Sequence, residues 1–197
     1  MRFFTEQNCA SFVYFFRFMD KLDDIDLIQR FKDGDLSCFE GIVLKYQNKV
    51  YNLCRYMLGN AQDAEDAAQD VFIKAYRKLG NFKPEAALYT WLYRIGVNTC
   101  IDYKRKYRDS SQNTPSHADG LSPENLYQSK ETIRTITHAL SALPEKLRAV
   151  IVLREVEALS YEEIAKILNI SLGTVKSRIS RARELLLCNL KTDGTIS

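Results

Sequence analysis

Ser160 to Leu187, SYEEIAKILNISLGTVKSRISRARELLL, admits very few folds. Ser160 and Glu163 make a capping box, in which each side chain satisfies an orphan backbone donor at a helix start. Tyr161, Ile164, Ala165 and Leu168 follow at helical spacing and mark one buried face. Asn169 suits the left-handed residue that closes a helix, and Ser171 suits the cap of the next one. The stretch reads as two helices around a tight turn.

In the second helix, Leu172, Val175, Ile179, Ala182 and Leu186 share one apolar stripe. Thr174, Ser177, Arg178 and Arg181 point the opposite way, with Lys176 and Arg183 nearer the apolar edge. A packed back and a front of arginine and small hydroxyls suit the major groove of DNA. There arginine bonds a guanine edge bidentately, and hydroxyls serve bases or phosphates. An ordinary surface helix with solvated charges is the competing reading; the agreement of both helices, their caps and the turn favours DNA.

The whole chain has 197 residues, room for one or two domains with real cores. Its net charge of +3 implies no partner by itself, but acids and bases segregate into different segments. Few glycines and prolines, and no sustained alternation of apolar residues, predict an all-helical protein. The five cysteines are scattered, with no CxxC pair, and read as free thiols of a reducing cytoplasm. Neither His117 nor His138 has metal-ligand neighbours, so no cofactor or metal is expected.

Met1 to Phe18 contains FVYFFRF, aromatic but too short to span a bilayer, and no signal-cleavage site follows. Met19 is the expected natural start, with residues 1–18 either not native or a dispensable extension; an amphipathic membrane anchor is the competing reading. A short helix from about Asp24 then stops at Gly34. A longer one follows, its stripe running from Phe39 through Ile42, Val43, Tyr46, Val50 and Leu53 to Met57, and Gly59-Asn60 closes it. The third helix spans about Ala61 to Leu79. Its apolar face holds Ala64, Ala67, Ala68, Val71, Phe72, Ala75 and Leu79; Asp66, Gln69 and Asp70 lie opposite. Acids near a helix start complement its dipole, but Asp70 lies beyond the first turn. A docking face for a basic partner is the second reading, and both stand.

The next helix, from Leu88 to about Arg108, points Leu88, Leu92, Ile95 and Thr99 toward the core, with Trp91 on the margin. Arg94, Asn98, Ile101 and Arg105 line the far side, and Lys104, Lys106 and Arg108 crowd the end. Aromatic rings are more often core, and basic residues suit a helix C-terminus. The same mixture also describes a surface that stacks unpaired bases and binds phosphates. Asp109 to Asn125 is rich in Ser, Asn, Pro and Gly and reads as a flexible linker. Its roughly 17 residues reach at most about 60 Å. Helices over Leu126 to Leu143 and Glu145 to Glu157 complete the chain, with Pro144 at a helix start.

LSYEEIAKILNISLGTVKSRISRARELL resembles region four of the extracytoplasmic-function sigma factors of bacterial RNA polymerase. DAEDAAQDVFIKAYRKL and LYTWLYRIGVNTCIDYKRK resemble region two of the same family. The similarity runs from about Ile25 to Leu187 and is of the sigma-E type. It implies two small helical domains, at 19–108 and 126–190, joined by a linker over 109–125. It also implies that Asp66, Gln69, Asp70 and Phe72 bind the polymerase core. By the same resemblance Trp91, Arg94, Asn98, Lys104 and Arg105, with the loop from Asn81 to Ala87, recognise and melt the minus-ten element. Thr174, Lys176, Ser177, Arg178 and Arg181 match the helix that reads the minus-thirty-five element. Members are usually held by a membrane-bound anti-sigma factor, often a zinc protein, the zinc belonging to that partner. Where relatives often carry a glycine-containing FRG-type loop, this chain has FKPEAAL, and Ser180 replaces a bulkier residue of some relatives.

The expectation is therefore a cytoplasmic transcription initiation factor with no catalytic residues and no small-molecule substrate. A stand-alone helix-turn-helix regulator leaves the acidic helix and the basic-aromatic helix without purpose. A metal-dependent nuclease would have only Asp63, Asp66 and Asp70 to work with. A chain beginning at Met19 should support promoter-directed transcription as well as the full chain does. Run-off transcription at equal protein levels checks this, and loss of activity on truncation would refute it.

Overall fold

The computed structural model describes residues 23–85, 87–110 and 135–192, without the side chains of 107–110 and 190–192. The aromatic N-terminal run, residues 111–125 of the expected linker and the start of the helix expected from Leu126 lie outside these. Among the described residues every regular element is helical.

The first bundle is built from α1 (Asp24–Lys32), α2 (Cys38–Leu58), α3 (Ala61–Leu79) and α4 (Leu88–Ser110). The Asp23 carboxylate opens α1 by accepting from the N–H groups of Ile25 and Asp26 at 2.6 and 3.0 Å. Gly34, at φ +102°, ends the turn after it, where a side chain would be strained. Gly59, at φ +97°, closes α2, and the Asn60 side chain caps α3 by accepting from the Asp63 N–H at 2.7 Å. Small residues on the α3 core face (Ala64, Ala67, Ala68 and Ala75) let α3 lie close to its neighbours. Gly96 does the same for α4. A Cβ there would sit 2.7 Å from Cδ2 of Leu53, itself fully buried.

The second unit begins with helical residues 135–141 and continues through α5 (Glu145–Ile151), α6 (Tyr161–Leu168) and α7 (Leu172–Thr192). The α-helix expected over Glu145 to Glu157 is not continuous. From Val152 to Val156 it widens into a π-turn, in which the Glu157 N–H bonds Val152 O five residues back at 3.2 Å. Arg154 secures the exit by donating to Leu159 O at 2.7 Å and lying over the Tyr161 ring. Ala158, at φ +53°, then reverses the chain into α6. Single π-turns of this kind re-aim the chain inside otherwise α-helical stretches.

The two units pack against each other. Leu88, Leu92 and Thr99 face the first core as expected, and Ile95 is half-buried. But α4 carries a second covered face toward the second unit: α6 packs against it, Tyr89 Oη donates to Glu163 there, and Tyr93, 2 % exposed, donates to Glu157. A single-stripe reading of this helix is thereby corrected: a helix wedged between two units is covered on two sides.

Arg148 in α5 is 2 % exposed and pairs with no carboxylate among the described residues. Its guanidinium donates instead to backbone carbonyls: Leu140 O at 2.7 Å, Leu143 O at 2.9 Å, Ser141 O, and Met57 O of α2 at 2.7 Å. Burial lowers its pKa to about 10, so it stays charged at neutral pH. These carbonyls lie at the ends of helical segments, where the backbone carries partial negative charge and lacks intrahelical donors. Arg148→Met should cost at least about 3 kcal/mol, because it strands several buried acceptors. Urea unfolding of the variant beside the wild type measures this.

Candidate nucleic-acid interface

The helix-turn-helix forms as its residues dictate. Ser160 Oγ accepts from the Glu163 N–H at 3.2 Å, and the Glu163 carboxylate accepts from the Ser160 N–H at 2.7 Å. Asn169 takes the left-handed conformation at φ +52°, and Ser171 Oγ accepts from the Thr174 N–H at 3.2 Å. Ile167, which the sequence reading left out, is buried beside Ile164, whereas Tyr161, Ala165 and Leu168 are half-buried. On α7, Val175, Ile179 and Ala182 form the packed back. Leu172 does not join them; it is 37 % exposed, because the first turn overhangs the core.

Ser177 and Arg181 stand opposite this packed back and are exposed, as is Lys176. Arg178 and Thr174 are half-buried and lie on the flank of that face rather than at its centre. Ser180 is exposed on the same side and donates to Glu184 at 3.3 Å. Arg183 is occupied by an exposed ion pair with Glu155 at 2.6 Å.

On α4, Trp91, Asn98 and Arg105 recur every seven residues and form one stripe. Asn98 and Arg105 are exposed, Trp91 and Lys104 half-buried. Trp91 is both core and surface: Phe82 packs edge-on against it at 5.1 Å, which leaves part of the indole open. Lys32 pins the loop from below by donating to Phe82 O at 2.6 Å. Arg94 is not part of the open stripe. Its guanidinium turns to the second unit and bonds Ile167 O at 3.3 Å and Lys166 O.

On α3, Asp66, Gln69 and Asp70 are exposed together, and Phe72 is half-buried at their edge. The helix start is already capped by Asn60, whose side chain accepts from the Asp63 N–H and donates to the Asp63 carboxylate. Tyr103 Oη reaches Asp66 only at 3.5 Å. Sequence reasoning missed two residues beside them. Ile73 is 49 % exposed and Tyr76 41 % exposed, the latter held edge-on to Phe31 and Phe39 at 5.5 and 5.1 Å. An isoleucine three residues after Asp70, on the polar side of the helix, was the available signal. The acids thus border an apolar patch, a combination that favours a partner with both bases and apolar side chains.

An acidic-apolar helix, a basic-aromatic helix and a helix-turn-helix, in that order, have the layout of a Sigma-70-type factor. The Sigma-70 region 2 family matches residues 42–110, and the Sigma-70, region 4 family matches residues 133–186. RNA polymerase sigma-H factor of Pseudomonas aeruginosa is 43 % identical over 176 residues, covering 83 % of this chain and 91 % of that one. The ECF RNA polymerase sigma-E factor of Escherichia coli is 41 % identical over 181 residues, covering 85 % and 94 %. Among solved structures, the sigma factor RpoE in complex with the anti-sigma factor NepR from Bartonella quintana is similar, with a TM-score of 0.65. It is 28 % identical and covers 79 % of this chain and 98 % of that one. The chain belongs to the extracytoplasmic-function RNA polymerase sigma factors.

The capping box gives a direct test of how the helix-turn-helix is held. Ser160→Ala should lower stability by about 1 kcal/mol, since it removes the acceptor for an orphan N–H. Thermal unfolding followed by circular dichroism measures the loss.

Proposed function

We propose that three surfaces divide the work of transcription initiation in this chain. Asp66, Gln69 and Asp70, with Phe72, Ile73 and Tyr76 as the apolar part, dock the polymerase core. Trp91, Arg94, Asn98, Lys104 and Arg105 capture the melted minus-ten strand, rings stacking on bases and cations holding phosphates. Lys176, Ser177 and Arg181, flanked by Thr174 and Arg178, read the minus-thirty-five duplex in the major groove. Residues 19–108 and 126–190 carry the two halves of this task.

The observation that supports this division is the separation of charge: an exposed acidic face on α3, and exposed basic faces on α4 and α7. A DNA-binding regulator has no use for the first. The factor itself performs no catalysis; phosphodiester synthesis belongs to the polymerase, and melting is driven by capture of unpaired bases. It works in the cytoplasm beside the polymerase. No helix among the described residues is long and apolar enough to cross a membrane. The similar RpoE bound to its anti-sigma factor supports such a regulatory partner here.

Asp66→Lys combined with Asp70→Lys tests the docking face. Both positions point away from the α3 core, so circular dichroism and thermal stability should change little. Like-charge repulsion at an interface costs several kcal/mol, so affinity for purified core polymerase should fall at least about 100-fold. Equal affinity of wild type and double variant for core would refute the assignment.

A further inference from the structure

Lys32 stands in the last turn of α1, and its ammonium donates to Phe82 O at 2.6 Å. The bond joins positions 50 residues apart and lands where the chain leaves α3 for the loop from Asn81 to Ala87. There the chain unwinds through two tight turns, with the Asn81 N–H bonded to Lys78 O at 3.1 Å and the Phe82 N–H to Leu79 O at 3.0 Å. Phe82, 5 % exposed, is thus held by N–H, carbonyl and ring, the ring packing edge-on against Trp91 at 5.1 Å. Beyond it Lys83, Pro84 and Glu85 are exposed. Pro84 has a fixed φ and keeps Lys83 extended, so the direction set at Phe82 carries on into the loop.

Of these three holds, only the one from Lys32 comes from outside the segment that joins α3 to α4. The turn bonds belong to a helix end, which frays readily, whereas a hydrogen bond from a charged donor is about twice as strong as a neutral one. A stacking platform helps capture most when its ring is already in place, because ordering it on arrival of a base is subtracted from affinity. Trp91 is half-buried and heads the stripe shared with Asn98 and Arg105, and Phe82 is the ring packed against it. We propose that Lys32 is a positioning residue for the capture of unpaired minus-ten bases. By fixing Phe82 O it keeps the Phe82 ring against Trp91, so that the indole and the start of the loop are set before a base arrives. Lys32 acts through Phe82 and not by touching the strand. The inference rests on the minus-ten role given to Trp91 above.

The chain has one tryptophan, so the tryptophan fluorescence of the full chain reports Trp91 alone. Lys32→Met keeps the aliphatic stem and removes the donor; Lys32→Arg keeps a charged donor of similar reach. Acrylamide quenching of Trp91 should rise in Lys32→Met and stay at the wild-type value in Lys32→Arg, with unchanged helicity. With core polymerase bound, affinity for a labelled single strand should fall about tenfold in Lys32→Met and recover in Lys32→Arg. That strand carries the non-template minus-ten sequence of a promoter that wild type selects from a genomic library. Phe82→Leu should weaken capture similarly. Combined with Lys32→Met it should still lose about tenfold rather than about a hundredfold, because both substitutions act through one contact. Unchanged quenching in Lys32→Met, or undiminished affinity for the strand, would overturn the assignment. Additive losses would also overturn it, by making Lys32 an independent phosphate contact. Failure of wild type to select any promoter would instead overturn the proposed function on which the inference rests, whatever the quenching shows.

Discussion

One buried guanidinium, bonded to backbone carbonyls of both units, ties this molecule together. Arg148 gathers the carbonyl ends of helical residues 135–141 and the turn that follows, and in the same fork holds Met57 O at the end of α2. A lysine could not do this, because the task needs several donors in one plane pointing to separate helix ends. Carbonyls cannot change their charge, so this anchor does not respond to carboxylate titration. The tyrosine–carboxylate bonds on the other side of the interface are of the opposite kind, held by groups with a tolerable existence in water. The interface therefore has a carbonyl-held edge at Arg148 and a carboxylate-held edge at α4.

Local chemistry made much of the fold legible from residues alone. Ser160 with Glu163, Asn169, Gly34 and Gly59 each satisfy a backbone requirement that only a few residue types meet. Their roles therefore follow from identity and spacing. Asn60 reads, with Gly59, as closing α2, whereas its side chain caps the start of α3. What could not be read is what depends on a second body. Tyr89 and Tyr93 look like surplus aromatic residues on a helix that already has a core stripe, until region four bonds to them. The π-turn at Val152–Val156 was equally hidden, since apolar residues in unbroken succession carry no mark of a widened hydrogen-bond pattern.

The candidate surfaces divide along the same line. The exposure of Asp66, Gln69 and Asp70 was legible because helical phase alone separates them from Ala64, Ala67 and Val71. Ile73 shares that phase and was open to the same reading, whereas the placing of Tyr76 depends on Phe31 of α1 and Phe39 of α2, which hold its ring edge-on. Arg94 illustrates the limit best. Its phase on α4 correctly sets it away from the first core, yet nothing in the local sequence says that a distant helix end will claim it.

The π-turn sets the phase between two motifs that are otherwise independent. It holds one residue more than an α-helical turn would, and each residue of a helix corresponds to about 100° of rotation. Removing one residue between Val152 and Val156 would restore ordinary helical pairing and leave every motif intact. The capping box, the turn at Asn169 and the arginines of α7 would all survive. They would be swung by about that angle around the axis of α5 and away from α4. Between relatives, then, an insertion or deletion of one residue here is a change of aim rather than of content, invisible to a comparison that scores only which motifs are present.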